Sequence, residues 1–423
     1  MRAPLRPGTL TLRNAQVMDR AGVFVADHDV VVRDGVIESV APAAGPVTGE
    51  SLDLTGLWLM PGVVDCHAHL ACFEEDTLRY LSMSTSRWAL ECAGSAARLL
   101  DQGVTFVRDP CGADAGVRDG IHAGLVPGPT TQVAVSALSQ TGGHGDGHLP
   151  GVGLEASNGF LMHEYPGRPP YLADGVDDVR RAVRLIVRAG ADWIKICTTG
   201  GLLSPGHDHP DVPEFDADEI EAIVREATRA GKPVMSHAYG GSGLTDAVTA
   251  GVRSIEHGAR LSEEQAALMA RRGTFLVPTL SVLHELVRLR DDGAVSESVA
   301  AKVSEVEPLI GEAVRVARAA GVPIALGTDL TEQVGNLAEI AYLHRAGLTP
   351  QEALLAATAN GAELCGQSDV RGRLEPGLIG DAIVLAADPS DPEVFLERRN
   401  VVGVIQGGRV HRWSAEPERR TRP

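Results

Sequence analysis

The chain has 423 residues, 44% hydrophobic and 22% charged, enough for one large domain and a smaller one. Its net charge of −18 argues against nucleic acid or an anionic membrane as partner. There is no apolar run of about 18 residues to span a membrane, no apolar stretch follows the amino-terminal arginines, and the six cysteines form no CxxC pair. The expectation is a cytoplasmic protein with reduced, buried thiols that meets a small-molecule substrate; homo-oligomer formation stays open.

Residues 1–60 alternate apolar and polar side chains, as in Val30-Val-Val-Arg-Asp-Gly-Val-Ile-Glu. Arg33-Asp34-Gly35 between two apolar runs is a hairpin signal. The texture returns in Leu374–Leu385 and Val401–Val410, where Gly and Pro turns separate short apolar runs. The two ends are read as one small β-sandwich domain, 1–60 plus 366–413, and 414–423 as a charged tail.

Between them, residues 61–365 repeat one grammar: an amphipathic helix, a glycine, then an apolar strand. Gly103, Gly190, Gly231, Gly251, Gly273 and Gly321 each precede such a strand and suit the left-handed helix end. Val179, Ala182, Val183, Ile186 and Val187 follow helical spacing. Ser262 with Gln265, and Thr349 with Glu352, are capping-box candidates. Strands are expected at 63–66, 104–109, 130–138, 192–199, 233–238, 254–257, 274–280 and 323–329. Eight short strands alternating with helices predict an α/β fold, a (β/α)8 TIM barrel. An open doubly wound sheet is the alternative, but no glycine-rich phosphate fingerprint follows the first strand. Residues 139–176 are too long and Gly/Pro-rich for a simple connection and read as a functional loop.

In a barrel, chemistry gathers where strands end. The first strand delivers His67 and His69, side chains two apart that an extended strand points to one face. The fourth delivers Lys195, the fifth His237, the sixth His257 and the eighth Asp329. Taken singly, each histidine could be structural and the aspartate a helix cap. Lys195 within Trp-Ile-Lys-Ile is harder to dismiss, since an unpaired lysine there costs several kcal/mol. All six converging on one rim make a metal site.

With these residues in view, the chain resembles the metal-dependent amidohydrolase superfamily over nearly its whole length, from the Pro61-Gly62 entry to the His67-Ala-His69 strand onward. The resemblance implies two divalent ions, zinc by ligand type although other ions suit the same donors. His67, His69 and Asp329 would hold one and His237 and His257 the other, with Lys195 bridging both as a carbamate. Only a neutral amine can react with carbon dioxide in this way, and burial beside cations favours that form. A metal-bridging hydroxide would then attack a polarised carbonyl, with Asp329 taking the proton and passing it to the leaving nitrogen.

Gln140-Thr-Gly-Gly-His-Gly-Asp146 and His237-Ala-Tyr239 resemble the imidazolonepropionase-like and Xaa-Pro-dipeptidase-like branch. That resemblance implies that His144 and Tyr239 bind the carbonyl oxyanion or a substrate carboxylate and act in catalysis. His207 and His209 sit in the Pro-rich loop 200–215 and read as pocket lining or solvent-facing groups. Phe73, Trp88 and Phe160 are candidate pocket aromatics.

The expected activity is hydrolysis of an amide bond in a dipeptide or N-acyl amino acid. A non-peptide amide, carbamate, urea or lactam hydrolase would use the same centre. A mononuclear deaminase would lack the lysine and carry a glutamate after the fifth-strand histidine, where this chain has Ala238-Tyr239-Gly240-Gly241. An inactive structural relative would have lost ligands.

Overall fold

The computed structural model describes residues 8–44, 49–71, 83–148, 165, 167–203 and 209–414. Both ends of the chain build one eight-stranded sheet. Its strands are β1 (Thr9–Met18), β2 (Phe24–Arg33), β3 (Val36–Pro42), β4 (Glu50–Asp53) and β5 (Trp58–Pro61) from the front. Three more, β14 (Ala382–Leu385), β15 (Val401–Gln406) and β16 (Arg409–Trp413), come from the rear. The order is β16-β15-β14-β5-β1-β2-β3, with β4 on β1. Alternation buries Leu10, Leu12, Val30, Val32, Leu59, Val384 and Ile405 in one core. The expected hairpin forms at Asp34 and Gly35, both left-handed (φ 51° and 83°), between paired Arg33 and Val36.

The chain leaves this sheet at Pro61 and re-enters structure at Val63. Gly62 lies so close to the neighbouring segment that a Cβ would sit 2.2 Å from Thr105 Oγ1. Only glycine leaves room for the Thr105 side chain there.

Among the described residues, the middle of the chain holds eight parallel strands in two ladders. One is β6 (Val63–Asp65), β7 (Val104–Asp109) and β8 (Thr130–Val133). The other runs β9 (Ala137–Leu138), β10 (Ile194–Cys197), β11 (Val234–Ala238), β12 (Ser254–His257) and β13 (Phe275–Val277). Every residue of β6, β7 and β10 to β13 is buried, as expected of strands covered on both faces. Together with the intervening helices this is a mixed α/β architecture.

Two expected strands differ. The run 130–138 is broken into β8 and β9, because Val135 takes φ 67°, a left-handed conformation that a β-branched residue holds only off a ladder. The run 323–329 forms a single bridge, Leu276 with Ile324, and no ladder. Its backbone bonds are shared out: Leu276 N donates to Pro323 O (2.9 Å), Cys66 N to Leu326 O (2.9 Å) and Leu326 N to Ala356 O (2.9 Å). The segment therefore ties β13 to the end of β6.

Helices Thr85–Gln102, Gly241–Ala250, Glu263–Arg272 and Glu312–Ala320 stop at Gly103, Gly251, Gly273 and Gly321, all left-handed. Both expected capping boxes form, and Asp216 with Glu219 adds a third. After β13, helices Leu280–Asp291 and Glu297–Val306 pack Leu283, Leu286, Val299 and Val303 against Leu202, Tyr239 and Ala259. Among the described residues, no helix is long and apolar enough to cross a membrane.

Candidate metal centre

β6 ends at Asp65, so His67 and His69 lie beyond the strand and not within it. What orients them is the buried Asp65 carboxylate. It accepts from His67 N (3.1 Å), Thr328 Oγ1 (2.8 Å) and Asn336 Nδ2 (3.2 Å), while Asp329 N donates to His67 O at 2.6 Å. Two remote segments are thereby locked side by side. Asp329 Oδ1 then faces His67 Nε2 at 3.3 Å and His69 Nε2 at 2.9 Å. Burial alone would raise the Asp329 carboxyl, but His67 and His69 outweigh it and hold the group well below the usual carboxylate range.

Each of the four histidines has one ring nitrogen committed to a protein acceptor. His67 Nδ1 donates to Glu256 Oε2 (2.7 Å) and His69 Nδ1 to Cys111 O (3.2 Å). His237 Nε2 donates to Gly200 O (3.1 Å), and His257 Nδ1 pairs with Thr279 Oγ1 (2.7 Å). Where such a ring is neutral, its opposite nitrogen carries a lone pair, the form a metal ligand needs. For His69 that lone pair meets a carboxylate oxygen, an arrangement that requires a proton or a metal cation between them. The donor set therefore fits a divalent ion: His67, His257 and Asp329 have ligand atoms within 4.8 Å of one another.

His257 reaches this cluster through strain. Adjacent strand residues face opposite sides, yet Glu256 and His257 both serve the centre. His257 has φ 74°, which breaks the alternation. Asp329 (φ 56°) and Thr279 (φ 49°) are left-handed too. Thr279 is anchored by the helix it precedes, whose Leu280 N and Ser281 N donate to the buried Glu339 carboxylate at 2.8 and 2.6 Å. Burial pushes Glu339 up to about 8 despite these bonds.

Below the histidines lies a buried ion pair. Arg108 Nη2 meets both Glu256 oxygens at 2.9 Å, Arg108 Nη1 meets Ser254 Oγ at 3.1 Å, and the guanidinium lies 4.5 Å over the Trp193 ring. Burial disfavours the Glu256 charge, but Arg108 and His67 outweigh it and keep the carboxylate ionised.

Lys195 is 4% exposed and, among the described residues, has no hydrogen-bond or ion-pair partner. Burial, together with neighbouring positive groups that include Lys195, holds His237 and His257 well below the ordinary imidazole range. The His237 and His257 rings are 4.5 Å apart.

His144 stacks on His237 at 4.1 Å and 17°, and Tyr239 stacks on His257 at 5.4 Å and 18°. Burial and Asp329 hold the Tyr239 phenol above its ordinary range. His209 lies apart, between Glu305 (2.9 Å) and Asp211 (3.7 Å). Trp88 is buried and stacks near Tyr165. His207, Phe73 and Phe160 lie outside the described residues.

Glu256, Arg108, Thr279 and Asp65 support the site and went unread in the sequence. Glu256 carried a weaker signal than Lys195, a charge beside Ile255 in a short strand that also holds Ser254 and His257. Thr279 carried none, since its role depends on a left-handed backbone.

A family model described as Amidohydrolase family matches residues 58–411. Ochratoxinase of Aspergillus niger is 37% identical over 366 residues, covering 83% of this chain and 75% of that protein. A solved structure of a prolidase complexed with N-methylphosphonate-L-proline is similar at TM-score 0.88 and 32% identity, over 96% of this chain and 100% of that one. Imidazolonepropionase of Chromobacterium violaceum is 28% identical over 387 residues, 84% of each.

Proposed function

This chain belongs to the amidohydrolase family, as an enzyme acting on carbon–nitrogen bonds, and from that premise we propose that it hydrolyses the amide bond of a dipeptide or an N-acyl amino acid. The observation that carries the reading is Lys195, buried and without a partner among the described residues beside His237 and His257. Carbon dioxide taken up by this amine, with loss of a proton, would give a carbamate whose oxygens would add anionic donors for divalent ions. His67, His69 and Asp329 would hold one ion, His237 and His257 the other, with zinc the first choice. Divalent ions held there would acidify a water and polarise the scissile carbonyl.

The chain's own groups supply the rest. Asp329, ionised and fixed by His67 and His69, takes the water's proton and returns it to the leaving nitrogen. Tyr239 stays protonated and donates to the carbonyl oxygen as charge develops there. His144 binds that oxygen or the substrate carboxylate. The relatives named prolidase and ochratoxinase support a substrate of this class.

The fold reading belongs to the same proposal. The bonds from Leu276 to 323–325 and from Leu326 to Cys66 support closure of residues 61–365 into a (β/α)8 barrel. Residues 1–60 with 366–413 are read as a β-sandwich domain and 414–423 as a tail. Five free buried cysteines among the described residues support a cytoplasmic setting.

The test is a hydrolysis screen of zinc-loaded protein against N-acyl amino acids, Xaa-Pro and Xaa-basic dipeptides, and aryl amides. Amino-acid release from the first two classes is expected. Turnover of a neutral amide with failure of every carboxylate-bearing substrate would sink this reading in favour of a non-peptide amide, carbamate, urea or lactam.

A further inference from the structure

His144 is the one substrate-side group carried on the turn 140–146, and something must fix its ring against His237. The turn itself is closed by Gly143 N to Gln140 O (3.0 Å) and Asp146 N to Gly143 O (2.9 Å). Those bonds shape the turn without setting its height above the strands. A buried carboxylate supplies the missing constraint. Glu214, 2% exposed, accepts the His144 peptide N–H on Oε1 (2.5 Å) and the Ser139 hydroxyl on Oε2 (2.5 Å). Ser139 Oγ in turn accepts from Gly145 N at 3.0 Å.

Glu214 is itself anchored to the core of the site. Its N–H donates to Thr198 O (2.9 Å), one residue beyond β10, the strand that carries Lys195. The next residue, Phe215, is buried and left-handed (φ 54°), and its N–H donates to Gln140 Oε1 at 2.8 Å. At Gly143 a Cβ would lie 2.3 Å from Glu214 Oε2, so the turn passes directly over the carboxylate. The chain from Thr198 to Glu214 to the His144 peptide is continuous, buried at Thr198 and Glu214 and half-buried at His144.

We propose that Glu214 is a positioning residue for His144, setting the turn so that the imidazole stacks on His237 and meets the substrate. This rests on the reading above that His144 contacts substrate. Charge-assisted acceptance from a peptide N–H is roughly twice as strong as a neutral bond, so a carboxylate suits this task better than an amide.

The test has a structural arm and a kinetic arm, both on zinc-loaded full-length protein. In a crystal structure of Glu214→Ala, the His144 ring is expected to leave His237 while His67, His69, His237 and His257 keep their places. With N-benzoyl-L-phenylalanine as probe, Glu214→Ala is expected to lower kcat about 100-fold, the scale of a misplaced contact. The double variant Glu214→Ala/His144→Ala should be no slower than His144→Ala alone, and Glu214→Gln, whose amide oxygen accepts the same N–H more weakly, should recover part of the loss. Ser139→Ala, a milder change in the same chain, should show a smaller loss of the same kind. An unmoved ring, losses that multiply in the double variant, or loss of zinc together with activity would overturn the proposal. Wild-type turnover by His144→Ala, or no turnover of the probe by the wild type, would instead sink the reading it rests on, and the ring position would still decide the role of Glu214.

Discussion

His67 Nδ1 lies 2.7 Å from Glu256 Oε2, and the same carboxylate is held by Arg108 at 2.9 Å. An imidazole that must offer Nε2 outward is thus fixed by a charge that is itself neutralised from below. Glu256→Gln should weaken zinc binding about 10–100-fold, the usual effect of losing an outer partner of a ligand histidine. It should also lower stability by about 3–5 kcal/mol, since Arg108 would be left buried without its counter-charge. Zinc titration and urea unfolding test the two effects separately; normal values in both would remove Glu256 from the site.

Lys195→Ala should bind no more than one metal per chain and lose about a thousandfold or more in turnover. Metal analysis of the purified variant gives the stoichiometry. A short carboxylic acid added to the variant should restore part of the activity by standing in for the proposed carbamate. Two ions with normal turnover would remove the bridging role.

Tyr239→Phe should lower kcat about 100–1,000-fold with metal content unchanged, as expected for loss of one donor to a developing oxyanion. Its stacking on His257 at 5.4 Å survives the substitution, so folding is preserved. An unchanged kcat would leave Tyr239 a packing residue.

At Gly201, a Cβ would lie 2.1 Å from His144 Cε1. Gly201→Ala must therefore displace the ring. Activity toward N-acyl amino acids should fall about tenfold or more while zinc stoichiometry stays at the wild-type value. Equal loss of metal and activity would show that the ring has no separate role.

Glu339 gives a pH dependence. Its folded carboxyl titrates at about 8 because it is buried, whereas the unfolded group titrates near 4.3. Between those values the folded state holds a proton that the unfolded state has released. The contribution of Glu339 to stability is therefore retained below the unfolded value and falls as pH rises through the window. The stability of wild type minus that of Glu339→Gln should drop by roughly a few kcal/mol from pH 5 to pH 9. Urea unfolding of both proteins across that range tests it, and the subtraction removes the pH dependence of metal binding. A flat difference would contradict the shift.

Much of this was legible in the sequence because helix ends and buried strands obey local rules. Gly103, Gly251 and Gly273 end helices where their position announced it, and Ser262 and Thr349 cap as their partners three residues on suggested. Where backbone left the local rule, the sequence was silent. Val135 splits a strand and His257 turns against alternation, and positive φ is an outlier for a β-branched residue and uncommon even for histidine. His67 and His69 converge for a reason other than strand pleat: Asp65 and Asn336, distant in sequence, hold the segment that carries them. Glu256 could have been flagged by its burial in a strand; its pairing with Arg108 required the tertiary structure.

The bond from Asp329 N to His67 O joins positions that the ribosome makes far apart in time. A nascent chain that has emerged only to residue 320 already carries His67, His69, Lys195, His237 and His257, yet it has neither Asp329 nor the segment that clamps the first two. β14, which pairs with β5 directly ahead of that segment, emerges later still. The proposed donor set is thus incomplete until Asp329 and its clamping segment have emerged, and capture of a metal by the full set would have to follow them.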